Sequence, residues 1–196
     1  MEKPKILVFA GSTRKDSLHR KLVQVAAAEL RRAGADVTVA DLRDYPMPLY
    51  HGDLEAAEGL PQGAKAFKEL VRGQDGIVIA SPEYNGSFSA LLKNAIDWIS
   101  RPETGEPRLA AFRGKTAALL SASPGPGGGH RGLRHLRELL EMMGVKVVAS
   151  QVTVARAMEA FDADGRLARP EDAEAMRRTI GELMEAVRQQ PGAAAA

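Results

Sequence analysis

The chain of 196 residues carries 27 Lys or Arg against 25 Asp or Glu, and its pI lies near 9.0. It contains no cysteine, which excludes disulfides and thiolate metal sites, and its apolar runs are too short for a membrane-spanning helix or a signal peptide. The charges are dispersed rather than clustered, so we expect a cytoplasmic protein whose partners are small molecules, and neither nucleic acid nor a membrane.

Five apolar runs have the length and composition of buried strands. They lie at residues 5–10, 37–42, 76–81, 116–121 and 145–150. Each run is apolar throughout rather than at alternate positions, which is typical of strands in a sheet that is covered on both faces.

Helical periodicity fills the intervals between these strands. Apolar residues recur at spacings of three and four within residues 18–33, 67–71, 88–99, 133–143 and 173–187. Gly34 and Gly144 follow two of these stripes, where glycine commonly ends a helix. Strands that alternate with helices pair in parallel, so the sequence predicts an α/β fold with a flavodoxin-like, doubly wound, five-stranded parallel sheet of order 2-1-3-4-5.

Two longer segments interrupt this alternation. Residues 43–61 form a proline-bearing loop after the second strand, and residues 151–170 follow the fifth strand and contain the tight-turn sequence DADGR. Loops of this length in a compact domain commonly serve binding or assembly. We interpret residues 1–190 as one domain and residues 191–196 as a disordered tail.

The loop after the first strand, GSTRKDS at residues 11–17, predicts an anion site. In a doubly wound sheet, ligands bind at the carboxyl ends of the strands where the strand order reverses, and a helix N-terminus at that point attracts negative charge. The hydroxyls of Ser12, Thr13 and Ser17 can donate to phosphate oxygens. Arg14 can add charge-assisted hydrogen bonds.

An ordinary capped turn is the alternative interpretation of this loop. In that case Asp16 or Ser17 is the N-cap of the following helix, and Arg14 extends into solvent. The loop has neither the ending of a Walker loop nor the GxGxxG spacing of a dinucleotide site. The loop alone therefore leaves both interpretations open.

Two further loops follow the third and fourth strands. SPEYNGS at residues 81–87 begins after a strand, and its Glu83, Tyr84 and Asn85 project where a flat ligand can lie. SASPGPGGG at residues 121–129 follows the fourth strand. With the first loop, these polar loops enclose one pocket, which suits a ligand with a phosphate at one end and a planar polar ring at the other, such as FMN.

Three motifs, in order and in register with the predicted strands, carry a resemblance to a known family: GSTRKDS (11–17), SPEYNGS (81–87) and LKNAIDWISR (92–101). The sequence resembles the NADPH-dependent FMN reductases, a flavodoxin-like family that includes chromate and quinone reductases and some azoreductases. The resemblance implies that the first loop holds the FMN phosphate, the second lies along the isoalloxazine and the third lines the pocket. The cofactor-binding residues that we expect are Ser12, Thr13, Arg14, Ser17, Leu18, His19, Pro82, Glu83, Tyr84, Asn85, Ser121, Ala122 and Ser123.

The resemblance also implies an activity. It indicates an oxidoreductase that passes two electrons, by a ping-pong mechanism, from NADPH or NADH to a quinone, an azo compound, chromate or free flavin. The flavin supplies the chemistry, so we expect no catalytic side chain and no metal site. A homodimer or homotetramer is implied as well. Two alternatives stay open: a flavodoxin-type electron carrier, and a flavin-binding sensor without turnover.

One position departs from the family pattern. Where family members commonly carry an asparagine, two residues after Ser17, this chain has His19. A histidine can donate a hydrogen bond to phosphate, and its charge ordinarily changes near neutral pH. We therefore expect the FMN affinity to depend on pH between about 5.5 and 8.

Overall fold

In the computed structural model, which describes residues 2–190, the chain folds around a parallel sheet. The strands are β1 (Lys5–Ala10), β2 (Asp36–Ala40), β3 (Gly76–Ala80), β4 (Glu83–Tyr84), β5 (Ser87–Phe88), β6 (Thr116–Ala122), β7 (Lys146–Val147) and β8 (Val152–Val154). The sheet order is β2-β1-β3-β6-β7, all pairs being parallel, and β8 also pairs with β6. This confirms the predicted α/β fold and the order 2-1-3-4-5, with β6 in the fourth place and β7 and β8 sharing the fifth. The predicted tail at residues 191–196 lies outside the described residues.

Helices cover both faces of this sheet. They are α1 (Leu18–Arg32), α2 (Gly52–Glu58), α3 (Gln62–Arg72), α4 (Ala90–Ile99), α5 (His130–Met142) and α6 (Pro170–Arg188). Successive strand residues point to opposite faces, so Ile6 and Val8 pack with α1 and α6, whereas Leu7 and Phe9 pack with α3, α4 and α5. None of the helices described is both long and apolar enough to cross a membrane.

The predicted fifth strand at residues 145–150 is wrong in extent: only β7 (Lys146–Val147) forms within it, and β8 (Val152–Val154) lies in residues 151–170, which were interpreted as a loop. β7 pairs with the start of β6 and β8 with its end. Between them, Arg137 of α5 donates from its guanidinium to the carbonyl oxygen of Val148 at 2.6 Å, and Glu182 of α6 accepts from the N–H of Ser150 at 2.8 Å. Side chains of two helices thus satisfy backbone groups that a continuous strand would pair with β6.

The predicted loop at residues 43–61 is partly helical, because it contains the short helix α2. The segment folds over α4, where the indole N–H of the fully buried Trp98 donates to the carbonyl oxygen of Pro48 at 2.8 Å. Tyr50 packs edge-on against the same indole, with the ring centroids 5.0 Å apart. These contacts fix the segment to the helix that follows the second of the three predicted site loops.

The turn DADGR predicted within residues 151–170 is confirmed. The Oδ1 atom of Asp162 accepts a hydrogen bond from the N–H of Asp164 at 3.0 Å, and the turn closes a short hairpin that begins at Phe161. This hairpin packs on α1, where the ammonium of Lys21 lies 5.5 Å from the ring centroid of Phe161. The segment after β8 therefore flanks the helix that follows the first site loop.

Candidate functional site

Three loops, after β1, β3 and β6, meet at the carboxyl end of the sheet. Backbone hydrogen bonds extend the strand pairing into them: the N–H of Gly11 donates to the carbonyl oxygen of Ala80 at 2.9 Å, and that of Ser81 donates to Leu120 at 2.8 Å. The first residue after one strand thus lies beside the end of the next. The loops form one continuous edge rather than three separate turns.

The loop after β1 leads into a capped helix and leaves backbone donors open. Ser17 is the N-cap of α1, and its Oγ accepts a hydrogen bond from the N–H of His19 at 3.2 Å. Within residues 2–190, no hydrogen-bond partner is found for the N–H groups of Thr13, Lys15 and Leu18. Open N–H groups at the positive end of a helix dipole favour an anion.

The side chains of this loop divide into buried and exposed ones. Ser12 is buried, and its Oγ accepts from the N–H of Arg14 at 3.4 Å. Thr13 and Arg14 are exposed, and so is Asp16, which does not cap the helix. The loop therefore has the N-cap at Ser17 that the capped-turn alternative allowed, together with the open donors that an anion site needs.

The loop after β3 is a β-hairpin, a feature that the sequence analysis missed. β4 and β5 pair antiparallel, with Glu83 opposite Phe88. Asn85 and Gly86 form the two-residue turn, with φ of +53° and +79°. An Asn-Gly pair between short strand-like runs is a strong hairpin signal, so EYNGSF could have revealed it. Tyr84 and Asn85 lie exposed at the hairpin tip.

Glu83 binds the hairpin to the start of α5, the helix that follows the loop after β6. The Oε2 atom of Glu83 accepts a hydrogen bond from the N–H of Gly132, in the first turn of α5, at 2.8 Å. A carboxylate at a helix N-terminus is favoured by the helix dipole. The carboxylate of Glu83 is therefore already hydrogen-bonded within the protein. Pro82 beside it is buried.

Two serines, Ser121 near the end of β6 and Ser123 in the loop after it, order this part of the chain. The fully buried Ser121 donates from Oγ to the carbonyl oxygen of Ser81 at 2.8 Å, and Oγ of Ser123 accepts from the N–H of Gly125 at 3.2 Å. Gly129, the N-cap of α5, has φ of +88°, and a Cβ at that position would lie 2.0 Å from the Oγ of Ser121. A glycine is required there because the hydroxyl occupies the space of a side chain.

His19 lies where α1 meets the ends of β3 and β6, and it is buried. Its Nε2 accepts a hydrogen bond from the N–H of Ala122 at 3.2 Å and lies 3.4 Å from the Oγ of Ser121. Burial, helped by the positive charge of Arg14, lowers the pKa of His19 to about 4, although a backbone hydrogen bond with Ser81 opposes the shift. The ring is therefore neutral from pH 5.5 to 8, and the expectation that its charge changes near neutral pH is wrong.

A cleft of about 220 Å³ opens between α1 and β2, next to the loop after β1, and the sequence analysis did not identify it. Its polar lining includes Ser12, Arg20 and Asp41. The guanidinium of Arg20 lies 3.1 Å from the carboxylate of Asp41. Hydrogen bonds from Arg43 hold the pKa of the Asp41 carboxyl below its usual value. This cleft lies on the β2 side of the first loop, away from the hairpin.

The donor set along this edge fits the two ends of FMN. At the first loop, open N–H groups, the exposed hydroxyl of Thr13 and the exposed guanidinium of Arg14 match a phosphate. At the hairpin tip, Tyr84 and Asn85 are exposed and, within residues 2–190, make no side-chain hydrogen bond, so both are available to a flat ligand. The described part of the chain holds no group of three His, Asp or Glu side chains that could bind a metal ion.

Comparisons with known proteins agree with this geometry. The family model described as NADPH-dependent FMN reductase matches residues 4–159. The chain is 40% identical over 164 residues to an NAD(P)H-dependent FMN reductase of Pseudomonas aeruginosa, a match that covers 83% of this chain and 84% of that protein. It is 37% identical over 152 residues to a quinone reductase of Escherichia coli, covering 75% and 74% of the two chains. The chain belongs to the NADPH-dependent FMN reductase family.

A solved structure supports the same assignment. The flavoenzyme NAD(P)H:(acceptor) oxidoreductase FerB of Paracoccus denitrificans superposes with a TM-score of 0.78 at 28% identity, over 95% of this chain and 98% of that chain. Family membership confirms the resemblance found in the sequence, and with it an FMN-dependent oxidoreductase that uses a nicotinamide co-substrate.

Proposed function

We propose that this member of the family transfers two electrons from NADPH or NADH to a quinone, an azo compound, chromate or free flavin. FMN, when bound, supplies the chemistry, because it can accept a hydride and later release the electrons to a second substrate. The nicotinamide and the acceptor use the same binding face in turn, which gives a ping-pong mechanism. The names of two relatives, an FMN reductase and a quinone reductase, support free flavin and a quinone as acceptors, whereas an azo compound and chromate rest on the resemblance seen in the sequence.

The proposal assigns the FMN phosphate to the loop after β1. Its open backbone donors, with Ser12, Thr13, Arg14 and Ser17, hold the phosphate, and Leu18 contributes its N–H at the start of α1. The charge of Arg14 strengthens these hydrogen bonds, since bonds to charged groups are roughly twice as strong as neutral ones.

The isoalloxazine is assigned to the other two loops. Pro82 to Asn85 lie along the ring, with Tyr84 and Asn85 as the exposed side chains of the hairpin tip. Ser121 to Ser123 line the opposite wall, mainly through their backbone, because the hydroxyls of Ser121 and Ser123 are bonded within the protein. The N–H groups of Ala122 and Ser123 are bonded to His19 and Val154, so the N–H groups that stabilise the negative charge of a reduced ring come from other residues of these loops.

The observation that carries this proposal is the junction of the three loops into one edge. Gly11 and Ser81 directly follow β1 and β3, Ser121 lies at the end of β6, and hydrogen bonds link each of these neighbouring strand ends to the next. An anion site at one end of this edge and an exposed polar tip at the other match the polarity of the two ends of FMN. We also propose that the protein is a homodimer or homotetramer and that it is located in the cytoplasm, where NADPH is available.

An anaerobic titration of the FMN-reconstituted protein with NADPH tests the function. We expect the visible absorbance of the bound flavin to bleach at one equivalent of NADPH and to recover when a quinone is added. Bound flavin that neither NADPH nor NADH reduces would indicate an electron carrier or a sensor and would contradict the proposal. A protein that binds no FMN would overturn the assignment of all three loops.

A further inference from the structure

The contact between His19 and Ala122 joins the start of α1 to the end of β6, two elements that are far apart in the sequence. The two residues are separated by 103 positions, yet the N–H of Ala122 donates to the Nε2 atom of His19 at 3.2 Å. His19 is in the first turn of α1, directly after the loop assigned to the phosphate. Ala122 ends β6, where the loop assigned to the ring begins. One buried side chain thus links the two ends of the proposed flavin site.

The protonation of the imidazole follows from its partners. A backbone N–H can only donate, so Nε2 of His19 carries no proton and the ring proton lies on Nδ1. The hydroxyl of Ser121 is 3.4 Å from Nε2 but only 2.8 Å from the carbonyl oxygen of Ser81. The hydroxyl therefore donates its proton to that carbonyl oxygen. Nε2 therefore acts as an acceptor inside the protein, and only Nδ1 has a proton to offer.

We propose that His19 is a positioning residue of the flavin site, whose Nε2 atom fixes the first turn of α1 to the end of β6, where the next site loop begins. This inference rests on the proposed function, since it assigns a role to His19 in the same site. The spacing between the phosphate-binding N–H groups and the ring-binding loop then depends on one acceptor atom. Loss of that acceptor leaves the buried N–H of Ala122 without a partner and frees the two loops to separate.

The charges around His19 keep the acceptor available in the physiological range. From the loop before α1, Arg14 adds positive charge and disfavours a second proton on the ring. The ends of β3 and β6 that pack against the ring bring Ser81, Ser121 and Ala122, which carry no charge. The contact therefore persists across pH 5.5 to 8, and the FMN affinity should be constant over that range.

Two amide variants separate this role from direct donation to the phosphate. The side-chain oxygen of glutamine is four bonds from Cα, as Nε2 is, whereas an asparagine amide ends where Nδ1 lies. We expect His19→Gln to keep the FMN dissociation constant of apoprotein titrations within about threefold of wild type. His19→Asn and His19→Leu should weaken binding by on the order of 10-fold or more, as for the loss of one buried hydrogen bond. An asparagine variant that binds better than the glutamine variant would show that the Nδ1 proton serves the phosphate, and would overturn the proposal.

A spectroscopic measurement keeps the inference testable where a variant fails to fold. In the ¹⁵N-labelled wild-type protein, we expect the Nε2 resonance of His19 to have the shift of an unprotonated nitrogen at pH 7, unchanged from pH 8 to 5.5. A protonated Nε2, or an Ala122 amide whose shift does not respond to His19→Leu, would contradict it. If the wild-type protein itself binds no FMN, the proposed function fails, whereas wild-type binding that all three variants retain overturns only the role of His19.

Discussion

Ser89 donates a hydrogen bond from its Oγ to the carbonyl oxygen of Gly11 at 2.7 Å, and the same oxygen caps α4 by accepting from the N–H of Leu92 at 3.2 Å. One hydroxyl thus ends a helix and holds the loop after β1. Ser89→Ala removes the cap and leaves the buried carbonyl of Gly11 unpaired, so we expect a loss of about 2–3 kcal/mol in the free energy of unfolding. Denaturant unfolding measures this loss, and FMN titration should show weaker binding.

Ser100→Ala is the matched control for that variant. Ser100 lies at the other end of α4, and its Oγ donates to the carbonyl oxygen of Asp97 at 2.7 Å. This bond touches none of the three site loops, so its removal should cost about 1 kcal/mol or less and leave FMN affinity unchanged. Equal losses in the two variants would mean that the bond to Gly11 does not hold the loop.

A second prediction concerns the effect of a side chain at Gly129 on stability. Gly129→Ala places a methyl group 2.0 Å from the Oγ of Ser121 and forces an L-residue to adopt φ of +88°. Strain and overpacking together should reduce the free energy of unfolding by about 2–5 kcal/mol. Gly165→Ala carries a similar backbone strain, at φ of +77°, with no atom within 4 Å of the new methyl group. A stability difference between the variants of less than about 1 kcal/mol would show that Ser121 moves aside easily.

The pKa of His19 gives a pH dependence of stability. Burial lowers that pKa to about 4 from 6.5, so between these values the unfolded chain binds the extra proton and the folded chain does not. The free energy of unfolding should therefore fall as the pH drops, by about 2 kcal/mol between pH 7 and 5 from this residue. The lowered carboxyl pKa values of Asp41, Glu55 and Glu106 act at lower pH, since they lie below 3.8 or 4.5. Denaturant unfolding of His19→Gln should show a flatter profile across this range, and an identical profile would contradict the assignment.

Steady-state kinetics test whether the two substrates share one binding face. In the proposed mechanism NADPH leaves before the quinone binds, so double-reciprocal plots at several quinone concentrations should be parallel. At high concentration, each substrate should also act as a competitive inhibitor against the other. Intersecting lines would mean that both substrates are bound together, which a single shared face does not permit.

The order of the strands and the position of the site could be predicted because both depend on patterns that are local in the sequence. The apolar run at residues 76–81 and the turn residues of DADGR each specify their own structure. The break in the fifth strand could not be predicted in this way. It depends on Arg137 and Glu182, which reach residues 148–150 from two separate helices.

The same distinction explains what was missed at the site. The Asn85-Gly86 turn was a local signal that could have revealed the hairpin. The protonation state of His19 has no such local signal in the sequence. Its low pKa results from burial against the ends of β3 and β6, about 60 or more residues away in the sequence. From the sequence alone, a histidine in a polar loop is expected to change its charge near neutral pH. Only the tertiary contacts show that burial lowers its pKa.

In the proposed site the loop after β1 binds the phosphate of FMN, and an equilibrium titration measures how much this loop contributes to the affinity. FMN is added to the apoprotein, and quenching of its fluorescence gives the dissociation constants of wild type, Arg14→Ala and Lys15→Ala. Arg14 and Lys15 are adjacent, exposed and equally charged, so Lys15→Ala controls for the loss of net charge. We predict that Arg14→Ala weakens binding by about 10- to 100-fold, the value of a charged hydrogen bond, and that Lys15→Ala changes it by less than about threefold. Equal affinities for Arg14→Ala and wild type would contradict the assignment of this loop to the phosphate.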